Sequence, residues 1–267
     1  MSDVEAVKRR QREMWGLGDY PVIGRQLEPA ADALCDACAV SAGQEVLDVA
    51  AGDGNFALAC AREGASVVAS DFAARMVELG RARTEAEGYD VEWLEADAEA
   101  LPFEEARFDC VGSAFGVFLA PRPGVVAAEL FRVVRPGGTV GLTAWTPEGF
   151  SGEFMELGRR FSPPPEDVPS PREWGIEETA EARLGPLAAR VQVERRTLPW
   201  TAASAAAFVE QIETVPSYVA ARATLSQADF EELRSETLAL AQRWNGATDG
   251  TMSVDSEYLL VVARKRG

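Results

Sequence analysis

A chain of 267 residues, 47% of them hydrophobic, is long enough to bury a core in one large α/β domain. Its net charge of -17 opposes binding to nucleic acid or anionic membranes, and no apolar run approaches the roughly 20 residues that span a bilayer. There is no histidine, and Lys8 and Lys265 are the only lysines, which excludes Ser-His-Asp triads, histidine metal sites, a Schiff-base lysine in mid-fold and a Walker A loop.

The chain begins Met1-Ser2-Asp3-Val4-Glu5, charged and without a secretory-type apolar segment, so a cytoplasmic location is expected. A charged helix over 4–14 leads into Trp15-Gly16-Leu17-Gly18-Asp19-Tyr20-Pro21, a shaped loop that reads either as a turn packed by its own aromatics or as a lid. A further helix is expected over 29–40. It carries Cys35 and Cys38, which with Cys60 and Cys110 read as buried, unreactive thiols; no second CxxC completes a metal site, and no metal is expected.

From 45 to 143 strands and helices alternate. Strands are expected at 45–49, 67–70, 91–95, 108–113 and 139–144, with helices at 54–62, 73–86 and 124–134 between them. Pro136-Gly137-Gly138 is a turn that ends the last of these helices. This rhythm predicts a mostly parallel sheet covered on both faces. Beyond it, the proline-rich 162–171 reads as an extended connection. Helices are expected over 202–214 and 226–244, the second opened by a capping box at Ser226–Asp229, and late strands at 190–198 and 253–264 should finish the sheet edge as an antiparallel pair.

The most informative stretch is Val46-Leu47-Asp48-Val49-Ala50-Ala51-Gly52-Asp53-Gly54-Asn55, with Asp71 nineteen residues after Gly52. An apolar strand runs into a glycine turn and a helix, and a second strand ends in an acid. Bare backbone can thus approach a nucleotide-like ligand while a carboxylate receives ribose hydroxyls. Taken alone, Gly52-Asp53-Gly54-Asn55-Phe56-Ala57 also fits the dinucleotide fingerprint. Asp48 inside the strand end would repel a pyrophosphate but suits a cationic ligand. No arginine or lysine near the loop is placed to meet phosphates.

Several segments in order resemble the class I S-adenosylmethionine (SAM)-dependent methyltransferase family, in its type 11, ubiquinone-biosynthesis-like small-molecule branch. They are the glycine segment, Asp71, Glu95-Ala96-Asp97-Ala98-Glu99-Ala100-Leu101-Pro102-Phe103, Phe108-Asp109-Cys110-Val111-Gly112-Ser113 and Glu129-Leu130-Phe131-Arg132-Val133-Val134-Arg135-Pro136-Gly137-Gly138. The resemblance spans about residues 40–145 and implies a doubly wound, Rossmann-like, seven-stranded sheet. That sheet is mostly parallel with an antiparallel C-terminal strand, and carries an N-terminal helical lid and a helical cap insert. It implies one methyltransferase domain over 1–267: a lid at 1–40, a SAM-binding core at 41–145, a cap and substrate region at 146–249 with one strand near 190–198, and a final strand at 250–267.

Carried over residue by residue, the resemblance implies that Ala50, Gly52, Gly54 and Asn55 shape the loop beside the methionine and ribose portions of SAM. Asp48 lies near the methionine amine, Asp71 accepts the ribose hydroxyls, and Phe72 and Met76 flank the adenine. Asp97 and the Ala98 N–H meet the adenine edge, the backbone at Ser113 and Ala114 meets the methionine ammonium, and Tyr20 and Arg25 reach its carboxylate from the lid. Asp53 departs from the threonine that many relatives carry. No catalytic residue is assigned beyond Tyr20 as a candidate, because transfer from a sulfonium needs alignment more than a base. Trp15, Phe115, Phe118, Trp145, Trp200 and Tyr218 are candidates for an acceptor pocket, and equally for core packing.

The expected function is methyl transfer to a small organic acceptor without a histidine base, with SAM as cofactor and no nucleic-acid or membrane partner. Monomer and homodimer are both left open. A non-catalytic SAM-binding accessory protein and a NAD-dependent oxidoreductase are the alternatives.

Overall fold

The computed structural model describes residues 3–166 and 168–267; Asp167, within the expected proline-rich connection, lies outside the described residues. Three N-terminal helices, α1 (Asp3–Trp15), α2 (Pro21–Gly24) and α3 (Glu28–Cys38), precede an alternating core. The core runs β1 (Glu45–Val49), α4 (Asn55–Arg62), β2 (Ser66–Asp71), α5 (Ala74–Ala86), β3 (Val91–Glu95), β4 (Phe108–Ala114), α6 (Pro123–Val133) and β5 (Val134–Trp145). The remainder comprises α7 (Phe150–Phe161), α8 (Glu177–Leu184), β6 (Ala188–Ala202), α9 (Ala205–Ile212), α10 (Pro216–Thr224), α11 (Gln227–Trp244) and β7 (Met252–Lys265).

The seven strands form one sheet in the order β3-β2-β1-β4-β5-β7-β6. Strands β1 to β5 are parallel, and β7 lies antiparallel to both β5 and β6. The expected Rossmann-like architecture is therefore the observed one. Strand order reverses between β1 and β4, whose C-terminal ends diverge there; in open α/β sheets such switch points are where ligands bind.

Strands β1 and β2 are buried almost end to end, as a sheet covered on both faces requires. Gly112 and Gly141 are partners across β4 and β5, so they share one face. A Cβ would lie 2.1 Å from the Phe56 ring at the first and 2.2 Å from Cys38 Sγ at the second, so α4 and α3 press onto that face at van der Waals contact. All four cysteines are buried and free. A hydrogen bond with Cys110 and burial raise the Cys38 thiol above its usual range; burial and a bond with Cys35 raise Cys60.

Several boundaries differ from the sequence expectation for identifiable reasons. Strand β5 begins at Val134 because Val134 pairs with Phe108, after which the register jumps so that Cys110 faces Thr139 and the Pro136-Gly137-Gly138 turn bulges out between the two pairings. Strands β6 and β7 run longer than expected, since their pairing continues from Ala188↔Lys265 to Ala202↔Met252. At the start of α11, Ser226 Oγ accepts the Asp229 N–H at 3.1 Å, while its hydroxyl lies 2.7 Å from Asp229 Oδ2. The side chain of Asp229 thus closes on the hydroxyl rather than on the Ser226 N–H.

Candidate functional site

A cleft enclosing about 720 Å³ of empty space, the open solvent at its mouth included, lies over the C-terminal ends of β1 to β4. The residues on its wall come from the segments that follow each strand: Ala50 and Gly52 after β1, Asp71 and Phe72 at the end of β2, Asp97 and Ala98 after β3, and Ala114 and Phe115 after β4. Two of these, Ala50 and Phe115, hold left-handed backbone at φ 53° and 55°. Strained backbone of this kind concentrates where a chain is shaped for a ligand.

The glycine turn is fixed from outside itself. Gly52 at φ 57° and Gly54 at φ 92° occupy backbone space that side chains rarely adopt. The Gly52 N–H donates to Asp71 Oδ2 at 3.0 Å, and Asp71 Oδ1 accepts the Ala73 N–H at 2.9 Å. Burial pushes the Asp71 carboxyl up to about 6, against the pull of those backbone bonds. Asp48, deeper in β1 at 1% exposure, accepts the Ala57 N–H at 2.9 Å through Oδ2. Its Oδ1 is buried without a partner among the described residues, and burial raises its carboxyl well above the usual range.

Asp53 is as buried as Asp48, with Arg83 Nη1 at 3.1 Å from its Oδ2. Burial raises its carboxyl, and Arg83 opposes the rise. The same guanidinium reaches Asn55 Oδ1 at 2.7 Å and pairs with Glu28 of α3, while Asn55 Nδ2 donates to Gly24 O at 2.7 Å. The glycine turn is thereby tied to the segment that carries Tyr20. The Tyr20 ring lies over Gly52, so close that a Cβ there would sit 3.1 Å from it, and it meets Trp15 edge-on at 5.7 Å between centroids. Burial, then Asp53, Asp71 and Asp48, push its hydroxyl far above its ordinary value.

Helix α1 roofs the cleft and is fastened to three wall segments. Lys8 Nζ lies 2.7 Å from Asp97 Oδ2, Gln11 Nε2 donates to Leu119 O at 2.9 Å, and Arg12 Nε donates to Phe72 O at 3.0 Å. At the far end Phe115 stacks on Trp145 at 3.9 Å, and Trp145 in turn meets Trp200 and Tyr258.

Residues 46–138 match the family model described as a methyltransferase domain. The chain is 35% identical over 265 residues to an uncharacterised protein of Mycobacterium tuberculosis (strain ATCC 25618 / H37Rv), covering 96% of this chain and 94% of that one. It is 44% identical over 106 residues to the demethylmenaquinone methyltransferase of Clavibacter sepedonicus, 39% of this chain and 42% of that one. The fold also matches a Haemonchus contortus phosphoethanolamine N-methyltransferase solved with SAM (TM-score 0.56, 19% identity, 89% of this chain and 53% of that one). The chain belongs to the class I SAM-dependent methyltransferase family.

The wall of this methyltransferase suits its cofactor. SAM carries an ammonium and a sulfonium, and the cleft wall offers the acid Asp71 and a glycine turn that admits close backbone approach, with an unpartnered carboxylate oxygen of Asp48 buried behind it. Of the residues that the resemblance singled out, Tyr20, Ala50, Gly52, Asp71, Phe72, Met76, Asp97, Ala98 and Ala114 line the cleft. Asp48, Gly54, Asn55 and Ser113 stand behind the wall and hold it. Ser113 Oγ, for instance, accepts the Val117 N–H at 3.0 Å. Arg25 is exposed in the turn after α2 and does not line the cleft.

The candidate acceptor aromatics divide. Trp15 and Phe115 line the cleft, whereas Phe118, Trp145, Trp200 and Tyr218 are buried in the core between sheet and cap. Tyr218 there bonds to Thr237. Sequence reasoning missed Lys8, Gln11, Val117 and Leu119 on the wall. Lys8 did stand out as one of two lysines, but nothing local tied it to residue 97.

Proposed function

We propose that this enzyme moves the methyl group of SAM to a small, planar or apolar organic acceptor, and that the protein contributes alignment and exclusion of water rather than a general base. Bound in the cleft, SAM supplies a methyl carbon activated by its positively charged sulfur. Asp71 receives the ribose hydroxyls, Asp97 and the Ala98 N–H take the adenine edge, and Asp48 and the Ala114 backbone hold the methionine ammonium. Tyr20 closes over the methionine portion, and its hydroxyl stays protonated at working pH, so it donates a hydrogen bond and abstracts no proton.

The observation that carries this reading is the division of the cleft. Its acids, Asp71 and Asp97, follow β2 and β3, while Trp15 of α1 and Phe115, Val117 and Leu119 after β4 add apolar lining. An acceptor that meets only that surface must bring its own nucleophile, which an amine, a thiol or an acidic carbon or phenol can do. The core similarity to a demethylmenaquinone methyltransferase is compatible with a planar acceptor. Residues 1–40 serve as lid, 41–145 as cofactor core and 146–249 as cap within a single domain, working in the cytoplasm as a monomer or homodimer.

The test is incubation with methyl-labelled SAM and a graded panel of quinol, phenol, amine and thiol acceptors. The expected result is label in a planar or apolar member together with equimolar S-adenosylhomocysteine. Tight S-adenosylhomocysteine binding with no transfer to any member would instead favour an accessory role.

A further inference from the structure

Helix α1 is held down in an unusual way. Among its described residues only Val7 and Lys8 are buried, so it adds little apolar surface to the core. Its buried polar anchor is the Lys8 ammonium, 10% exposed in its side chain. That ammonium meets Asp97 Oδ2 at 2.7 Å and also pairs with Glu99, whose side chain is fully buried. Each acid is committed on its other side. Asp97 Oδ1 accepts the Glu99 N–H at 2.9 Å, and Glu99 accepts the Arg122 N–H and Nε, both at 2.7 Å.

Resting on the cofactor reading above, we propose that Lys8 is a positioning residue for the adenine subsite, so that docking of α1 and recognition of the adenine ring form one coupled equilibrium. One lysine stands between two carboxylates. While it is there, the oxygens of Asp97 are fixed by the Glu99 N–H on one side and the ammonium on the other. When α1 lifts, the ammonium leaves with it, Asp97 and Glu99 face each other without the cation between them, and Asp97 loses the partner that fixes its Oδ2. Asp97 is then a poorer acceptor for an adenine amino group. Coupling of this kind is reciprocal: whatever adenine binding gains from a docked helix, helix docking gains from bound adenine. Gln11 and Arg12 bond to the backbone carbonyls of Leu119 and Phe72, which exist in either state, and the Arg12 guanidinium lies over the Phe72 ring at 5.6 Å.

The test reads α1 directly, by hydrogen exchange of residues 3–15 on the full chain, alongside calorimetric titration with S-adenosylhomocysteine. In the wild type, S-adenosylhomocysteine and saturating adenosine should both slow exchange in α1, and L-methionine should not. Lys8→Met should weaken S-adenosylhomocysteine binding by about 5- to 150-fold and leave α1 exchange the same with and without ligand, and Lys8→Arg should restore part of both. Equal protection by adenosine and methionine, or α1 exchange indifferent to adenosine, overturns the proposal without any variant. So does a folded Lys8→Met protein that binds S-adenosylhomocysteine as the wild type does. Failure of the wild type to bind S-adenosylhomocysteine overturns the cofactor reading and this proposal with it, whereas tight binding with an unmoved α1 overturns this proposal alone.

Discussion

Asp71 Oδ2 accepts the Gly52 N–H at 3.0 Å, a bond that joins the end of the second strand to the turn after the first. One carboxylate therefore shapes the glycine turn and faces the cleft that the turn borders. Burial pushes that carboxyl up to about 6, above its ordinary value of 3.8.

The sign of the resulting pH dependence differs for folding and for binding. Between 3.8 and about 6 the folded chain holds a proton on Asp71 that the unfolded chain has lost, so this group's contribution to stability falls as pH rises through that window. Ribose hydroxyls need the ionised form, so SAM affinity should fall as pH drops below about 6, approaching tenfold per pH unit. Asp48, raised in the same direction, adds to the slope. Asp71→Asn isolates the Asp71 part: the difference between the two calorimetric affinity profiles should titrate near pH 6, and parallel profiles would refute the assignment.

Arg83 is the sole cation paired with Asp53 in the described structure, and both side chains are buried, at 9% and 2% exposure. Arg83→Met should lower stability by about 3–5 kcal/mol, since it strands a buried charge. Adding Asp53→Asn should recover part of that loss, leaving the double variant more stable than the summed single losses predict. Urea melts of the four proteins measure the coupling, and strict additivity would show that the pair does not act as one.

Tyr20→Phe separates a hydrogen-bond donor from a base. Loss of one neutral hydrogen bond, about 0.5–1.5 kcal/mol, should raise the SAM dissociation constant by about 2- to 12-fold and leave the alkaline limb of kcat unchanged. A fall in kcat of about 100-fold or more, with loss of an ionisation, would instead assign Tyr20 as the base.

The two kinds of tryptophan should part company. Trp200→Ala empties a site packed against Trp145 and Phe208 and should cost about 3–5 kcal/mol in stability. Half-buried Trp15 lines the cleft, so Trp15→Ala should shift stability by less than about 1 kcal/mol while raising the acceptor KM. Thermal melts and initial rates distinguish them.

How much of this was legible in the chain follows from the range of the interactions. The strand, turn and helix at 45–62 could be read because their determinants are local: an apolar run, left-handed glycines and a helix directly after. Asp71 was legible because it ends a short strand, and Asp97 because it follows one by two residues in a segment that resembles the family's. Lys8 was not, since its partner Asp97 lies 89 positions away and only the folded roof brings them together. Nor could composition tell Trp15 from Trp200, because both are aromatics after a strand or helix and only packing decides which one meets solvent. Helices α8 and α10, of 8 and 9 residues, escaped because they are short, whereas the amphipathic 12-residue α7 carried a periodicity that could have been read. The bulge that starts β5 early is a register effect set by Phe108 on a neighbouring strand.

The most direct test of the central claim, that SAM sits over Asp71 and the Gly52 turn, is calorimetric titration of SAM into the wild type and Asp71→Ala at pH 7.5. One site per chain is predicted, with affinity lower by about 10- to 100-fold in the variant, as the loss of one or two charge-assisted hydrogen bonds requires. Equal affinity in the two proteins would contradict the account.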